Sequence, residues 1–335
     1  MDTPVLITHK TAWLVHHAPQ DLVQAVAQHD YQIGARGLST QQRTARIRQA
    51  LTDCGIPTSM LETIDISVVF AFERIRANGV NCHVLGQNLP YDHIDELSPG
   101  IFITDEALTF VFAAEWMDRI EYLEYGYEVC GDYRMGLNPD DPYTEQPATT
   151  SKDEIVELLD RHPGKPGATR ARLALRHIYD HSASPMETAS AIALSLPTSE
   201  GGVGIRGVEL NKPLEIPKRL WHCTKARTLK IDALITYNRR ELGIEYKGGF
   251  HDEVERKGAD AEREAVLAQM GYRIVTLTST QFASQLAFHR AMNNIREALS
   301  MPRCVDAEHQ RRQNELRKVL IRNWKSDQAE ESPSE

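Results

Sequence analysis

The sequence has few cysteines and no long apolar run. Its five cysteines are scattered, odd in number and form no Cys-x-x-Cys pair. That pattern is typical of reduced thiols, and it argues against both a disulfide framework and a zinc module. No apolar run approaches the roughly 18 residues that are needed to span a bilayer. The start, MDTPVLITHKTAW, lacks the basic residues and apolar core of a secretion signal. These absences predict a cytoplasmic protein without a membrane partner.

Positive charge is in the minority over the whole chain. The 335 residues include 38 Lys and Arg against 47 Asp and Glu, which gives a formal net charge of −9. A balance of this sign argues against a protein coated in nucleic acid, although it leaves room for a local basic groove. The length favours two domains over one large domain. The hydrophobic share of 41% is ordinary for a globular protein.

Residues 1–150 have the pattern of a mixed α+β unit. The segments ISVVF and CHVLG are rich in β-branched residues and predict two strands, with a turn at Asn78-Gly79 between them. Asp105 is a helix-capping residue ahead of the apolar segment EALTFVFAA, and two helices are predicted from there to about residue 129. The polar, proline-containing segment GLNPDDPYTEQPATTSKDE then marks the domain boundary.

The second half predicts helices around a group of strands. Ser184 and Pro185 suit the first positions of one helix, and Gly271 suits the end of another that starts near Asp260. Strands are predicted at VELNKPLEI and YRIVTLT, and amphipathic helices at QFASQLAFHRAMNNIREAL and DAEHQRRQNELRKVLIRNW. This domain is placed at 165–302. Residues 303–335 are predicted to form a helix that packs on it or makes a dimer contact, followed by a disordered acidic tail.

The segment IDALITYNRRELGIEYKG, residues 231–248, carries charge inside two apolar runs. If the runs form a hairpin joined through residues 238–241, Tyr237 faces Leu242 and Asp232 faces Lys247. Because side chains alternate along a strand, Asp232, Glu245 and Lys247 then project from one face. The other, buried face is supplied by Ile231, Ala233, Ile235, Ile244 and Tyr246. The pattern therefore predicts two carboxylates and one ammonium within side-chain reach of each other.

This group of charges has two interpretations. Two neighbouring carboxylates repel each other unless a cation lies between them, and oxygen ligands suit Mg²⁺, which retains several waters. A bound Mg²⁺ polarises a phosphate oxygen and helps to generate a hydroxide nucleophile, while a nearby lysine can orient the attacking water. The other interpretation is a cross-strand charge pair on a solvated sheet face, because surface ion pairs are common and weak.

The flanking residues add an ordered set of motifs. The first acid and the Glu-x-Lys of the next strand are Asp232 and Glu245-Tyr246-Lys247. The other motif residues, in chain order, are Glu187 in SPMET, Gly248 and His251 in YKGGFH, Asp260 and Arg263 in a helix, and Gly271 before a strand. This order resembles the PD-(D/E)XK nuclease superfamily, and more narrowly an endonuclease-like family related to very-short-patch mismatch repair endonucleases. The resemblance spans about residues 170–300.

The resemblance implies a restriction-endonuclease-like core, a mixed sheet flanked by helices, beside a separate N-terminal α+β domain. It also implies a Mg²⁺-dependent deoxyribonuclease, with Mn²⁺ as an alternative metal, that acts in DNA repair or in defence against foreign DNA. In the family pattern Asp232 and Glu245 hold the metal and the Tyr246 carbonyl adds a ligand. Lys247 positions the attacking water and favours activity, because many relatives have Asp or Asn at its position.

Three supporting residues each have a functional and an ordinary interpretation. Glu187 holds a metal-bound water or orients Lys247, or it is a first-turn glutamate favoured by the helix dipole. His251 contacts a phosphate or shuttles a proton, or it is an exposed loop histidine. Arg263 binds DNA, or it forms a surface pair with Asp260 one helical turn away.

Residues 211–230 are the most basic stretch, with six Lys or Arg, one acid and an embedded Trp221. Lys225, Arg227 and Lys230 are expected to contact a DNA backbone, since neutralisation of phosphates drives such binding. The competing account is a solvated strand edge guarded by lysines.

The N-terminal half, through ITHKTAWLVHH and FITDEALTFVFAAEW, resembles the winged-helix and middle region of abortive-infection type IV antitoxins. That resemblance implies a regulatory or DNA-contacting module. The alternative function for the chain is therefore a catalytically inactive, DNA-binding or antitoxin-like regulator that reuses the nuclease fold. DNA is the expected partner in both cases, and a homodimer or an operon-encoded partner is left open.

Overall fold

The chain folds into two compact units of mixed α/β structure. The computed structural model describes residues 4–138, 143–248 and 254–322. Unit 1 covers Met1–Asp180 and unit 2 covers His181–Glu335. The expected α/β fold class is confirmed, with helices and mixed sheets in two regions. Within the described residues, no helix is both long enough and apolar enough to cross a membrane.

Unit 1 is built on a five-stranded mixed sheet. Its strands are β1 (Val5–Ile7), β2 (Ile64–Val68), β3 (Val80–Val84), β4 (Ile94–Ser98) and β5 (Ile101–Thr104). Their order across the sheet is β3-β2-β1-β5-β4, and β6 (Tyr133–Arg134) pairs with β7 (Thr144–Glu145) separately. The predicted strands ISVVF and CHVLG correspond to β2 and β3, each displaced by two residues. They are parallel neighbours.

Unit 1 has seven α-helices among the described residues. They are α1 (His9–His16), α2 (Gln20–Ala27), α3 (Thr40–Asp53), α4 (Glu106–Ala113), α5 (Arg119–Val129), α6 (Lys152–Arg161) and α7 (Ala168–Ala174). Asp105 caps α4 by accepting a hydrogen bond from Leu108 N at 2.8 Å. The predicted boundary near residue 150 precedes α6 and α7, which pack on α4 within unit 1.

Unit 2 is built on a four-stranded mixed sheet in the order β11-β10-β9-β8. The strands are β8 (Val208–Glu215), β9 (Thr228–Tyr237), β10 (Arg240–Lys247) and β11 (Ile274–Thr278). β8, β9 and β10 are antiparallel neighbours, and β11 runs parallel to β10. The helices are α8 (Pro185–Ser195), α9 (Val254–Met270), α10 (Ser279–Ala283), α11 (Gln285–Ala298) and α12 (Ala307–Leu320).

Two helices of unit 2 differ from their predicted extents. α9 begins at Val254 rather than near residue 260. The single helix predicted from residue 281 is two helices, because Ser284 interrupts it and caps α11 by accepting from Ala287 N at 3.3 Å. α12 packs on α8 and α11, and its Leu316 and Leu320 are buried. The predicted disordered tail lies outside the described residues.

Candidate active site

A two-residue turn sets the register of the β9–β10 hairpin. Asn238 and Arg239 have φ values of 47° and 64°, as the two central residues of a type I′ turn require. Tyr237 and Arg240 therefore face each other directly across the turn. Because only two residues connect β9 to β10, the pairing of the two strands begins directly at Tyr237 and Arg240.

The observed register differs from the predicted one by two residues. Leu242, predicted to face Tyr237, faces Ile235 instead, so the predicted pairing is wrong. A shift by an even number of residues keeps every side chain of β10 on its expected face. It does, however, bring Glu245 rather than Lys247 to the level of Asp232.

Side-chain alternation along β9 breaks at Asp232. Asn211, at the same level on β8, has a left-handed φ of 46°, and the regular β8–β9 pairing omits it. Ile231 and Leu234 both belong to one apolar cluster that includes Leu267 of α9. Strict alternation would place these two residues of β9 on opposite faces. The backbone is therefore irregular where Asp232 lies.

The contacts around Gly243 show on which face of the sheet Ile231 lies. A Cβ added at Gly243 would lie 3.1 Å from Ile231 Cγ2 and 2.5 Å from Ile274 Cδ1. Gly243, Glu245 and Lys247 alternate along β10 and share one face. Ile231 therefore lies on the same face as Glu245, and its predicted assignment to the opposite face is wrong.

The side chain of Asp232 takes part in the hairpin. Its Oδ2 accepts a hydrogen bond from Tyr246 N at 2.7 Å, where the regular backbone pairing of the two strands ends. Among the described residues, Oδ1 has no hydrogen-bond donor. Burial raises the pKa of the Asp232 carboxyl, and the Tyr246 N–H opposes this rise. Asp232 Oδ2 therefore stabilises the hairpin, and Asp232 Oδ1 is available to a ligand.

Glu245 is held by an arginine of α9. Its side chain is 9% exposed, and the guanidinium of Arg263 binds its two oxygens at 2.6 and 2.9 Å. Burial raises the pKa of Glu245 to about 7, the Arg263 hydrogen bond opposes the rise, and the charge of Asp232 adds to it. Arg263, predicted to contact DNA, is therefore engaged inside the site. The side chain of Asp260, its partner in the ordinary interpretation, lies outside the described residues.

Lys247 contacts the next residue of the same helix. Its Nζ donates to Glu264 Oε1 at 3.0 Å, and both side chains are largely exposed. Glu245 and Lys247 are thus contacted by consecutive residues of α9, each by a residue of opposite charge. No motif in the sequence includes Glu264, and its helical position alone carries no signal for this contact.

Glu187 reaches from α8 to β8. Its carboxylate accepts from Ala183 N at 2.9 Å and from Asn211 Nδ2 at 2.5 Å, while Ser184 caps the helix. Burial raises the pKa of Glu187, and the charge of Asp232 contributes to the rise. Glu187 is therefore more than a solvent-facing first-turn glutamate. Asn211 was missed, although asparagine is among the residues that most readily adopt a positive φ.

The basic stretch 211–230 leaves β8, forms an exposed loop and enters β9. Lys225, Arg227 and Lys230 are all exposed. Trp221 is 41% exposed, and the Arg227 guanidinium carbon lies 4.5 Å from its ring centroid. The Lys230 carbonyl oxygen accepts a hydrogen bond from Arg263. This loop therefore adjoins the acids through Arg263 and presents a cation-covered aromatic ring.

The remaining predicted site residues have two outcomes. His251 lies outside the described residues. Tyr246 is half-buried with its ring edge-on to Phe282 at 6.3 Å between centroids, and no contact tests its carbonyl as a metal ligand. Burial raises the pKa of the Tyr246 hydroxyl to about 12.

The donor chemistry of this site suits a divalent cation. In the described part of the chain, no group of three or more His, Cys, Asp or Glu side chains is arranged to hold a metal ion. Mg²⁺, however, needs only one or two carboxylates and completes its octahedron with water. The oxygen donors of this kind at the site are Asp232 Oδ1 and the Glu245 carboxylate, both of whose oxygens are bound by Arg263. Protein-family profiles, curated proteins and solved structures were each compared with the chain, and none matches.

Proposed function

We propose that unit 2 is a metal-dependent deoxyribonuclease that hydrolyses phosphodiester bonds. The observation that carries the proposal is the proximity of the half-buried Asp232 to the buried Glu245 carboxylate at the end of the β9–β10 pairing. The charge of Asp232 raises the pKa of both Glu245 and Glu187. Burial is the larger cause in both cases, and a carboxylate that raises the pKa of two partly desolvated neighbours favours a cation beside it.

Mg²⁺, or Mn²⁺ in its place, would supply a Lewis acid for the phosphate and its attacking water. Asp232 Oδ1 and Glu245 would hold the ion, and the Tyr246 carbonyl is a further candidate ligand. Glu187, fixed by Asn211, would add negative charge beside Asp232. Lys247 lies two residues beyond Glu245 on the same face of β10, where an ammonium can orient a water and offset phosphate charge.

The substrate is proposed to be DNA because of the basic loop beside the acids. Its Lys225, Arg227 and Lys230 are exposed cations, while the chain as a whole carries a net charge of −9. Such a local concentration of positive charge suits a polyanionic backbone.

A DNA-binding regulator without nuclease activity is the second candidate, and one observation favours it. Both Glu245 and Lys247 are paired with residues of α9, through Arg263 and Glu264. In a regulator, Arg263 could occupy the position of a metal ion permanently, because no metal would be required there. Metal binding distinguishes the two candidates, because the regulator has no need to displace Arg263.

Single-turnover cleavage measured beside calorimetric Mn²⁺ titration tests the proposal. Plasmid, single-stranded and mismatched DNA would be the substrates, with the wild type, Lys247→Met and Asp232→Ala. Lys247→Met is expected to bind metal and DNA but to cleave orders of magnitude more slowly, since positioning and charge stabilisation dominate such catalysis. Asp232→Ala is expected to lose metal binding and cleavage together.

Glu264→Gln provides the matched control for Lys247→Met. It removes the same ion pair from the other side and leaves the ammonium in place, so its cleavage rate should equal or exceed that of the wild type. If Lys247→Met cleaves as fast as the wild type, the site is wrongly assigned. If the wild type neither binds Mn²⁺ nor cleaves any substrate, the regulator is the better description.

A further inference from the structure

Two phenylalanines of unit 1 project into solvent directly after β2. Phe72 is 84% exposed and Phe70 is 37% exposed. Their rings are nearly parallel, with an interplanar angle of 11° and 5.2 Å between their centroids. In the described part of the chain, no other ring contacts Phe72. Phenylalanine is among the residues most often buried, so a stacked pair that is left in water indicates a binding surface.

The segment that carries the two rings is anchored to the rest of unit 1. Glu73 Oε2 accepts a hydrogen bond from Phe70 N at 2.9 Å, and Glu73 N donates to Phe70 O at 3.0 Å. Further along the segment, Ile75 packs against the apolar core of unit 1. The rings are thus presented by a fixed turn, and little conformational entropy is lost when a ligand contacts them.

Exposed cations follow the rings along the same segment. Phe72, Arg74 and Arg76 are exposed, and the two residues that alternate with them are partly buried. Among the described residues, the side chain of neither Arg74 nor Arg76 has an ion-pair or hydrogen-bond partner. An aromatic ring and two unpaired guanidinium groups therefore share the solvent-exposed side of this segment.

This combination suits single-stranded nucleic acid better than another protein. A standard protein interface buries roughly 800 Å² on each partner. Among the described residues from 62 to 90, however, Phe70 and Phe72 are the only exposed large hydrophobic residues. An unpaired base needs only a free ring face to stack on, with cations nearby for the phosphates. Duplex DNA does not offer such a base, because its bases are stacked inside the helix.

We propose that Phe70 and Phe72 form a stacking platform for the bases of single-stranded nucleic acid, beside phosphate contacts from Arg74 and Arg76. A base continues the ring stack on the free face of Phe72, and the two guanidinium groups neutralise the adjacent backbone. The platform belongs to unit 1 and does not rest on the nuclease function proposed for unit 2.

Fluorescence anisotropy of the full chain tests the proposal, in the presence of EDTA so that no strand is cleaved. The probes are labelled oligothymidine, labelled oligouridine and an abasic strand of equal length, which keeps the phosphates but lacks the bases. Phe72→Ala is expected to weaken binding of the two strands with bases about tenfold, as the loss of one base–aromatic stack does. Its affinity for the abasic strand should equal that of the wild type. The tighter of the two strands with bases identifies DNA or RNA as the preferred form.

Matched variants separate stacking from apolar contact. Phe72→Leu keeps an apolar side chain without an aromatic face, so it should bind as weakly as Phe72→Ala. Phe72→Trp keeps the aromatic face and should bind at least as tightly as the wild type. Tyr91→Ala removes another exposed aromatic residue of unit 1, 69% exposed, and should leave all three affinities unchanged.

The double variant with Arg74→Gln and Arg76→Gln tests the phosphate contacts. It is expected to weaken binding of all three strands, including the abasic one. The slope of log affinity against log salt should fall by about 0.7 for each contact that is lost. An unchanged slope would overturn the assignment of these two arginines to the backbone.

Three results would overturn the stacking platform. They are wild-type affinity of Phe72→Ala for the strands with bases, wild-type affinity of Phe72→Leu for them, and a wild type that binds none of the strands. A wild-type dimer that Phe72→Ala converts to a monomer in analytical ultracentrifugation, without a change in strand affinity, would instead assign the surface to contact between copies of the chain. Because Phe72 is 84% exposed, its variants are expected to fold.

Discussion

Arg263 of α9 binds both carboxylate oxygens of Glu245 on β10, at 2.6 and 2.9 Å. The same guanidinium donates to the Lys230 carbonyl oxygen on β9. One side chain thus joins the helix to both strands of the hairpin. It also supplies positive charge at the place where the proposed metal would need a ligand. Metal and arginine are therefore expected to compete for Glu245.

Replacement of Arg263 by glutamine should make the protein's stability depend on metal. Without metal, Glu245 would be buried and unpaired. The free energy of unfolding is expected to fall by about 2 kcal/mol, less than for a fully buried pair because Arg263 is 32% exposed. Mn²⁺ should restore much of this loss by binding only the folded state. Chemical denaturation with and without Mn²⁺ measures both effects.

Arg273→Gln is the matched control for Arg263→Gln, because Arg273 is an exposed arginine of the same unit. It should unfold like the wild type and show no added response to Mn²⁺. An Arg263→Gln protein whose stability ignores Mn²⁺ would mean that Glu245 does not bind metal.

Neutralising the charges of the basic loop should weaken binding to all DNA sequences alike. Changing Lys225, Arg227 and Lys230 together to glutamine removes three exposed cations. The slope of log affinity against log salt is expected to fall by roughly one for each phosphate contact that is lost. Fluorescence anisotropy over a range of salt concentrations gives this slope.

A control triple removes the same charge elsewhere on unit 2. Arg273, Arg290 and Lys318 are also exposed, and changing them to glutamine should alter the salt slope much less. Equal slopes for the two triple variants would show that the loop has no special role in binding DNA.

Glycine should stabilise the hairpin turn at one position and weaken the strand at the next. Arg239 has a φ of 64°, where a residue with a Cβ is strained and glycine is not. Arg239→Gly is therefore expected to raise the free energy of unfolding by up to about 1 kcal/mol. Arg240→Gly, one residue further into β10, should lower it. Denaturant midpoints of the two variants should move in opposite directions, and parallel shifts would contradict the turn geometry.

His9 of unit 1 links stability to pH. It is 3% exposed, has a φ of 52°, and stacks on His83 at 3.7 Å and on Phe112 at 4.5 Å between centroids. Burial first, and then the charge of His83, lower its pKa from 6.5 to about 4 against the opposing charge of Asp65. In the folded state the imidazole is therefore neutral over a pH range in which the unfolded chain binds a proton.

The wild type should accordingly lose stability as pH falls from 6.5 towards 4, the interval between the unfolded and folded pKa of His9. Above this interval the free energy of unfolding is unaffected by the titration of His9. Below the interval it is lower by at most about 3 kcal/mol. His9→Asn removes the titration, and asparagine tolerates the positive φ. The stability difference between wild type and variant should shrink on acidification. A difference that stays constant with pH would exclude His9 as the titrating group.

The parts of the structure that the sequence could predict are those with local causes. The helix caps at Asp105 and Ser184 were predicted because the capping residue and the helix it starts are neighbours in the chain. The hairpin was found from its apolar runs, but its register was missed because Arg239 gives no sign that it adopts a positive φ. The face of Ile231 was missed because the irregularity at Asn211 comes from another strand.

The contacts within the candidate site could not be predicted for a related reason. The sequence places Arg263 on a helix, but its partner is fixed by how α9 packs on the sheet through Val266 and Leu267. Glu187 meets Asn211, which lies 24 positions further along the chain. Such contacts depend on tertiary packing, which no local pattern encodes.

The two contacts of α9 with β10 have opposite polarity. Arg263 places a cation on Glu245, and the next residue, Glu264, places an anion on Lys247. If α9 moved away as a rigid body, it would release a carboxylate and an ammonium together, and the net charge of the hairpin would stay the same. Because both contacts are attractive ion pairs that salt screens, salt should favour such an opening, although less steeply than it weakens the binding of DNA. The contacts of Arg263 and Glu264 with β10 would then break together, and the two released pairs of charges would sum to zero.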